Sequence, residues 1–277
     1  MSNHETEEKL DALHANTKGC LTRHQRRMNS SHKCSHMDHA RLKAETAGNS
    51  HHAAEDIYKH PRYDSICTGP NKATFKSAAR LTKKGIFPPN YAIEITDGFR
   101  KVRPKAKDWD PCVGENFRHF TKPYWHNSHH IVPNGVLATA ILEASKKDQR
   151  LSYLIKSGLL KAGYNLNARL NMIILPMEKE VAAALMLPRH LVGGEGGTNE
   201  KKEYFSHKDY STRIADKVKA VIDEYANILT KDPPEDHDRK PSELSKAKLE
   251  RISKTVYTLL LAAGSDRKGD PLSSVDV

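Results

Sequence analysis

The chain has 277 residues, enough for one or two domains, of which 37% are hydrophobic and 29% charged. Its formal net charge of +11 favours polyanionic partners, nucleic acid before an anionic membrane. No apolar run approaches the roughly 20 residues of a membrane helix, the polar N-terminus is not a secretory signal, and four cysteines without a CxxC pair do not predict structural disulfides.

A His-rich segment forms the N-terminal region, which we place at residues 1–62. Leucine spacing and early acidic residues predict a helix over residues 5–27. Nine of the 16 histidines fall by position 60, in a stretch that is poor in aliphatic residues. Four side chains there could form a Cys2His2 zinc site that staples the region: Cys20, His24, Cys34 and His36. The alternative is a polar helical segment with free thiols.

Basic residues are concentrated in the next segment, residues 63–120. Nine Lys or Arg and only two acidic residues lie between positions 76 and 107. An alternating strand at 91–95, the turn Asp97-Gly98 and a returning strand at 99–103 predict a β-hairpin. This hairpin could lie along a phosphate backbone, and the alternative is a solvated charged face.

Helices dominate the prediction for residues 121–230. Apolar spacing predicts helices at 136–147 and 151–162, with Gly163 in the position that ends the second. A loop and a short apolar run then lead to a third helix at 176–187. A Gly-rich connector at 188–199 precedes a strongly amphipathic helix whose apolar residues span 214–229.

The last segment, residues 231–277, begins with a polar, Pro-containing linker at 232–240. One more helix is predicted at 241–263 and ended by Gly264. We expect the tail beyond that glycine to be disordered. With a hairpin, short strands and many helices, the chain is expected to belong to the α+β class.

His129 and His130 form a doublet directly before Ile131-Val132-Pro133. Neighbouring side chains of a short strand point to opposite faces, so one imidazole can bind a metal while the other reaches a substrate. That geometry suits metal-assisted hydrolysis of a phosphodiester. The doublet alone carries little weight, because a chain with this many histidines contains about one such pair by chance.

Three further blocks follow the doublet. They are Asn165-x-Asn167-x3-Asn171 leading to Ile174-Leu175-Pro176, then His190, then Ser206-His207-x2-Tyr210 at the start of a helix. Their order resembles the AHH family of nucleases in the HNH/endonuclease VII superfamily, over roughly residues 127–228. The chain has Ser128 where that family has alanine, and a Gly-rich insertion separates its two late histidines.

The resemblance implies a ββα-metal core, in which two short strands and a helix hold one divalent cation, embedded here in a mainly helical domain. It implies His129 as the first metal ligand and His130 as the general base. His207 and His190 would complete the metal ligands. Asn171 would correspond to the motif asparagine that orients the loop and the base, with Asn167 bracing the loop. Imidazoles suit zinc, nickel or manganese better than magnesium.

The implied function is a metal-dependent endonuclease that acts on DNA or, as a second choice, RNA. Family members resemble toxin domains that are delivered into competing bacteria. Such a protein would be cytoplasmic in its producer, leave by a secretion system that reads no signal peptide, and need an acidic immunity protein. The alternative is a non-catalytic nucleic-acid-binding protein with a zinc-stapled N-terminal module.

Overall fold

The computed structural model describes residues 3–24, 34–46, 117, 126–177, 179–190, 207–231, 240–266 and 268–277. Within these residues the fold is mixed α and β, mostly helical, with one two-stranded antiparallel sheet. The α+β prediction is therefore confirmed at this level. The predicted hairpin at 91–103 and most of the Gly-rich connector lie outside the described residues.

The described elements are numbered here in chain order. They are α1 Asn3–Asn16, α2 His36–Thr46, β1 His126–His130, α3 Asn134–Ala144, α4 Gln149–Lys161, β2 Met172–Pro176, α5 Lys179–Leu185, α6 Lys208–Lys231 and α7 Lys240–Gly264. Short 3-10 turns at Arg169–Asn171 and Leu272–Ser274 precede β2 and follow α7. No helix in the described part of the chain is both long and apolar enough to cross a membrane.

The sheet joins the His129-His130 strand to the apolar run that follows the asparagine loop. In the antiparallel register of β1 and β2, His129 lies opposite Ile173 and His130 lies opposite Met172. Every residue of β2 is buried, as expected for a short apolar strand that is covered on both faces. Helix α2 packs against both strands, so the N-terminal region contacts the sheet directly.

The main core lies between the helices. The apolar residues of α6 recur at helical spacing, and Ile214, Val218 and Ile222 are fully buried. Helix α6 packs against α3, α4 and α7 along this face. Burial of each such side chain contributes about 1.5–3 kcal/mol, which explains why the helix predicted from the pattern forms.

Several predicted helix ends are confirmed, and one is wrong. The helices predicted at 136–147, 151–162 and 241–263 are present with small shifts of their ends, and Gly163 follows α4 with a positive φ of 74°. The helix predicted over 5–27 instead ends at Asn16. Beyond it, the backbone of Cys20 pairs with that of Tyr164 and Leu166, and these tertiary hydrogen bonds replace helical ones.

Two other predictions are corrected by tertiary packing. The helix predicted at 176–187 is shortened to α5, because Pro176 belongs to β2. The tail beyond Gly264 is not disordered, since Leu272 and Val275 are buried in the core. Arg189 donates its backbone N–H to Asp270 and accepts one from Leu272, which fixes the tail beside the segment that carries His190.

Candidate functional site

His129 and His130 lie on opposite sides of β1, as the alternation of strand side chains requires. Both rings are buried. The ring of His129 faces Tyr210 of α6, with 5.2 Å between the ring centroids. The ring of His130 faces His36 of α2 at 5.1 Å. The doublet thus presents one imidazole to the C-terminal helices and one to the N-terminal region.

The structure brings His129, His190 and His207 together, and we call these three residues the histidine triad. Their potential ligand nitrogens all lie within 4.8 Å of one another. Nδ1 of His129 and Nε2 of His190 are 3.0 Å apart. Two imidazole nitrogens bound to one tetrahedral zinc would be about 3.3 Å apart, so the spacing suits a shared ion.

Each member of the triad is placed by a different element. His129 is in β1, and His190 is anchored at the end of β2 by a 2.7 Å hydrogen bond from its backbone N–H to the carbonyl of Pro176. His207 immediately precedes α6, and its Nδ1 lies 3.0 Å from the hydroxyl of Ser211. That contact leaves Nε2 of His207 for the centre of the triad.

The triad is neutral at physiological pH. Burial lowers the pKa of His129 and of His190 well below the ordinary value, and neighbouring histidines lower both further. Burial also lowers the pKa of His207. Metal binding requires unprotonated imidazole, so these rings are already in the form that binds a cation.

The nitrogens that face the centre of the triad are the ones that fit a bound ion. Nδ1 of His129 and Nε2 of His190 are 3.0 Å apart, and the opposite nitrogens of the two rings are buried without a hydrogen-bond partner among the described residues. Each ring can therefore carry its proton on the outer nitrogen and keep its lone pair on the central one. Three converging neutral imidazoles are a donor set that fits a divalent metal.

Tyr210 packs against two members of the triad and holds them in place. Its hydroxyl donates a 2.6 Å hydrogen bond to the carbonyl of Ile131, directly after the doublet. Its ring also packs edge-on against His129 and His207. One fully buried side chain therefore ties the start of α6 to the end of β1, which keeps two triad members together.

His130 has a different partner from the one that the sequence suggested. Its Nε2 lies 2.8 Å from Oδ1 of Asn167, and since that oxygen can only accept, Nε2 carries the proton. Nδ1 of the neutral ring then holds the free lone pair. Burial, the largest cause, lowers the pKa of His130 to about 4, so the ring is uncharged at neutral pH.

Asn167 was expected only to brace the loop, and nothing in its sequence context distinguishes it from Asn171. Asn167 is fully buried and bonds the ring of His130, whereas the side chain of Asn171 bonds the backbone of Val132 beyond the doublet. Asn171 accepts from the backbone N–H of Val132 and the hydroxyl of Ser253, and its amide donates to the carbonyls of Val132 and Leu166. Asn171 therefore orients the loop, while the ring of His130 is held by Asn167.

Replacing Asn171 by alanine is expected to lower the free energy of unfolding by about 2–5 kcal/mol, because it leaves buried groups of Val132 and Leu166 without partners. Ser253→Ala is the matched control, since it removes one of the two bonds to Oδ1 and should cost only about 1 kcal/mol. Urea unfolding monitored by circular dichroism measures both changes. Equal effects of the two substitutions would contradict this role of Asn171.

A second cluster lies in the N-terminal region, and we call it the N-terminal cluster. Its members are His14, Cys20, His24 and Cys34, whose potential ligand atoms lie within 4.8 Å of one another. Both cysteines are buried, and neither forms a disulfide. The prediction of His36 as the fourth ligand is wrong, because His36 lies outside the cluster. Its Nδ1 lies 2.7 Å from the carbonyl oxygen of His24. His14, in the last turn of α1, takes its place: because α1 ends at Asn16, the chain beyond it brings Cys20 and His24 back beside this residue.

Comparisons of the chain with protein-family models, with curated proteins and with solved structures find no match. The function of the chain is therefore inferred from the arrangement of its own residues and from the motif resemblance described above.

Proposed function

We propose that this protein is a metal-dependent endonuclease that hydrolyses phosphodiester bonds of DNA, with a ββα-metal core formed by β1, β2 and α6. The observation that carries the proposal is the arrangement around the doublet. The triad collects three neutral imidazoles on one side of β1, and His130 offers a free lone pair on the other. This is the pairing of metal ligand and base that phosphodiester hydrolysis uses.

The triad would hold one divalent ion through His129, His190 and His207. Such an ion, when bound, supplies neutralisation of charge on the scissile phosphate and on the leaving oxygen. Three protein ligands are typical of catalytic zinc sites, in which one coordination position stays open, whereas structural sites are closed by four. The donor set also accommodates nickel or manganese.

His130 would take the proton from the attacking water. The amide of Asn167 holds the ring in the tautomer that carries its proton on Nε2, so Nδ1 is the accepting atom. The ring of His130 bonds Asn167 through Nε2, and among the described residues no hydrogen bond to Nδ1 competes for its lone pair. A fixed ring with a free nitrogen is suited to abstract a proton without first reorganising.

Arg23 would provide positive charge for the phosphate beside this base. Its Nη2 lies 3.4 Å from Nε2 of His36, whose ring packs on His130. The charge of Arg23 lowers the pKa of His130, and of His129 and His190 in the triad, which places the guanidinium within electrostatic reach of the whole site. A cation in this position attracts a phosphate anion.

The wider biological setting follows from the resemblance and from the net charge of +11. We propose DNA as the substrate, delivery into a target cell as a toxin, and an acidic immunity protein that covers the basic site in the producing cell. The second candidate, a non-catalytic nucleic-acid-binding protein, is favoured only by the N-terminal cluster, which fits a structural metal. That candidate gives no role to the tautomer of His130.

Incubation of supercoiled plasmid with the purified full-length protein tests the nuclease proposal. We expect nicked and linear products, loss of cleavage with a chelator, and recovery when manganese, nickel, zinc or magnesium is added back. A parallel incubation with RNA distinguishes the two nucleic acids. Cleavage that is indifferent to the chelator, or a folded protein that cuts with none of these metals, would contradict the proposal.

A further inference from the structure

We propose that His14, Cys20, His24 and Cys34 bind a structural zinc ion, and that this site positions His130 through Asn167. The zinc site is independent of any activity. The positioning of His130 rests on the nuclease function proposed above.

The donor set of the N-terminal cluster fits zinc in type, number and spacing. Two thiols and two imidazoles are the ligands of closed, tetrahedral structural sites. Nε2 of His14 and Sγ of Cys34 are 3.6 Å apart. A nitrogen and a sulfur bound to one tetrahedral zinc would be separated by about 3.6 Å. With four protein ligands, no coordination position is left for a substrate.

The local fold explains why a metal would stabilise this region. Cys20 and His24 lie in a non-helical segment, which pairs with the stretch before α2 through a bridge between His24 and Ser35. Among the described residues of this region, few apolar side chains enter the core, and Ala40 and Ala44 of α2 are their main contribution. Regions with so little core are commonly held together by a metal or by disulfides.

A disulfide between Cys20 and Cys34 is the main competing explanation, since both thiols are buried and near each other. It would account for two members of the cluster and leave the convergence of His14 and His24 without a cause. The rings of these two histidines are parallel, with centroids 5.2 Å apart. One zinc ion accounts for all four side chains together.

The side chain of Asn167 links the zinc site to the proposed base through hydrogen bonds. The amide nitrogen of Asn167 donates to Sγ of Cys20 at 3.2 Å and to the carbonyl of Thr22 at 2.8 Å. Its amide oxygen accepts from Nε2 of His130 at 2.8 Å. Fixing Cys20 therefore fixes the rotamer of Asn167, and Asn167 in turn fixes the tautomer and orientation of His130. Asn167 is a positioning residue.

Cobalt substitution of the full-length protein tests the zinc site without reference to cleavage. Cobalt bound by cysteine gives a near-ultraviolet thiolate charge-transfer absorption, which a site made only of histidines cannot give. We expect this absorption in the parent protein and in His129→Ala, and its loss in Cys34→Ser and His24→Ala. His24→Cys supplies a fourth ligand of another type that zinc accepts, so it should keep the absorption.

Cys67→Ser and Cys112→Ser provide chemically matched controls, since they remove the other two thiols of the chain. We expect both to keep the absorption and the zinc content of the parent. An absorption that survives Cys34→Ser, or a Cys20–Cys34 disulfide with no zinc in the purified protein, would overturn the site.

Substitution of Asn167 tests the link to His130. In Asn167→Leu we expect the cobalt absorption to remain, kcat for plasmid cleavage to fall about 10–100-fold, and KM to stay constant. Asn167→Asp keeps an oxygen that accepts from His130 and should restore part of kcat. An unchanged kcat in Asn167→Leu overturns the link but not the zinc site. A parent protein that cuts nothing overturns the nuclease and the link together, while the cobalt result still decides the zinc site.

Discussion

Replacing His130 by alanine is expected to reduce the rate of DNA cleavage by about 10²–10⁴-fold, the contribution typical of a general base. His130 lies on the side of β1 opposite the triad; its Nε2 bonds Asn167, and neither ring nitrogen bonds a triad member. The variant should therefore keep the metal and bind DNA with the affinity of the parent. Single-turnover cleavage, metal analysis and DNA titration measure these three properties.

His129→Ala is the matched control for this experiment, because it removes the adjacent histidine from the same strand. It should lose both the triad metal and cleavage, since Nδ1 of His129 lies beside Nε2 of His190 at the centre of the triad. If His129→Ala loses the triad metal and His130→Ala keeps it, His129 is a metal ligand and His130 is not. Parental cleavage by His130→Ala would rule this residue out as the base.

Acidification below about pH 6.5 is expected to destabilise the fold by several kcal/mol. Burial, the largest cause, lowers the pKa of His36 to about 3 and that of His130 to about 4. Unfolded histidine titrates near pH 6.5. The unfolded chain therefore binds more protons between about pH 4 and 6.5, so stability is fully present above 6.5 and is lost as the pH falls. Each shift is worth about 3 kcal/mol at pH 4.

Urea unfolding at several pH values between 4 and 7 measures this loss. His36→Asn removes one of the titrating groups and should flatten the dependence by up to about 1.4 kcal/mol per pH unit. Release of bound metal on protonation of its ligands acts in the same direction. A urea unfolding midpoint that does not change with pH would show that His36 and His130 bind protons equally in the folded and unfolded chain.

The sequence predicted the local elements well where the pattern is periodic. The apolar spacing of α6 and the glycine after α4 depend on neighbouring residues alone, so they could be derived without a structure. The same holds for the doublet, because alternation in a strand places His129 and His130 on opposite faces whatever surrounds them. The resemblance to the AHH family, rather than any local pattern, indicated that His190 and His207 could join His129.

Long-range packing decided what the sequence left open. From the sequence alone, either Asn167 or Asn171 could have bonded His130. In the structure, Cys20 approaches the loop and bonds the amide of Asn167, which lies against His130. The amide of Asn171 instead connects Val132 to Ser253. The tail beyond Gly264 was predicted to be disordered for a related reason. Its order depends on backbone hydrogen bonds with Arg189, and a short polar segment carries no sequence pattern that predicts such bonds.

The sequence by itself determined the donor types, the strand that separates the two adjacent imidazoles, and the helices whose periodic faces build the core. Only the tertiary structure decided which histidine completes the N-terminal cluster and which asparagine bonds His130. The physical reason is that periodicity follows from bonded geometry within a few residues. The choice between similar polar side chains depends on contacts between separate segments of the chain, such as the hydrogen bond from Asn167 to Cys20, two residues that are 147 positions apart.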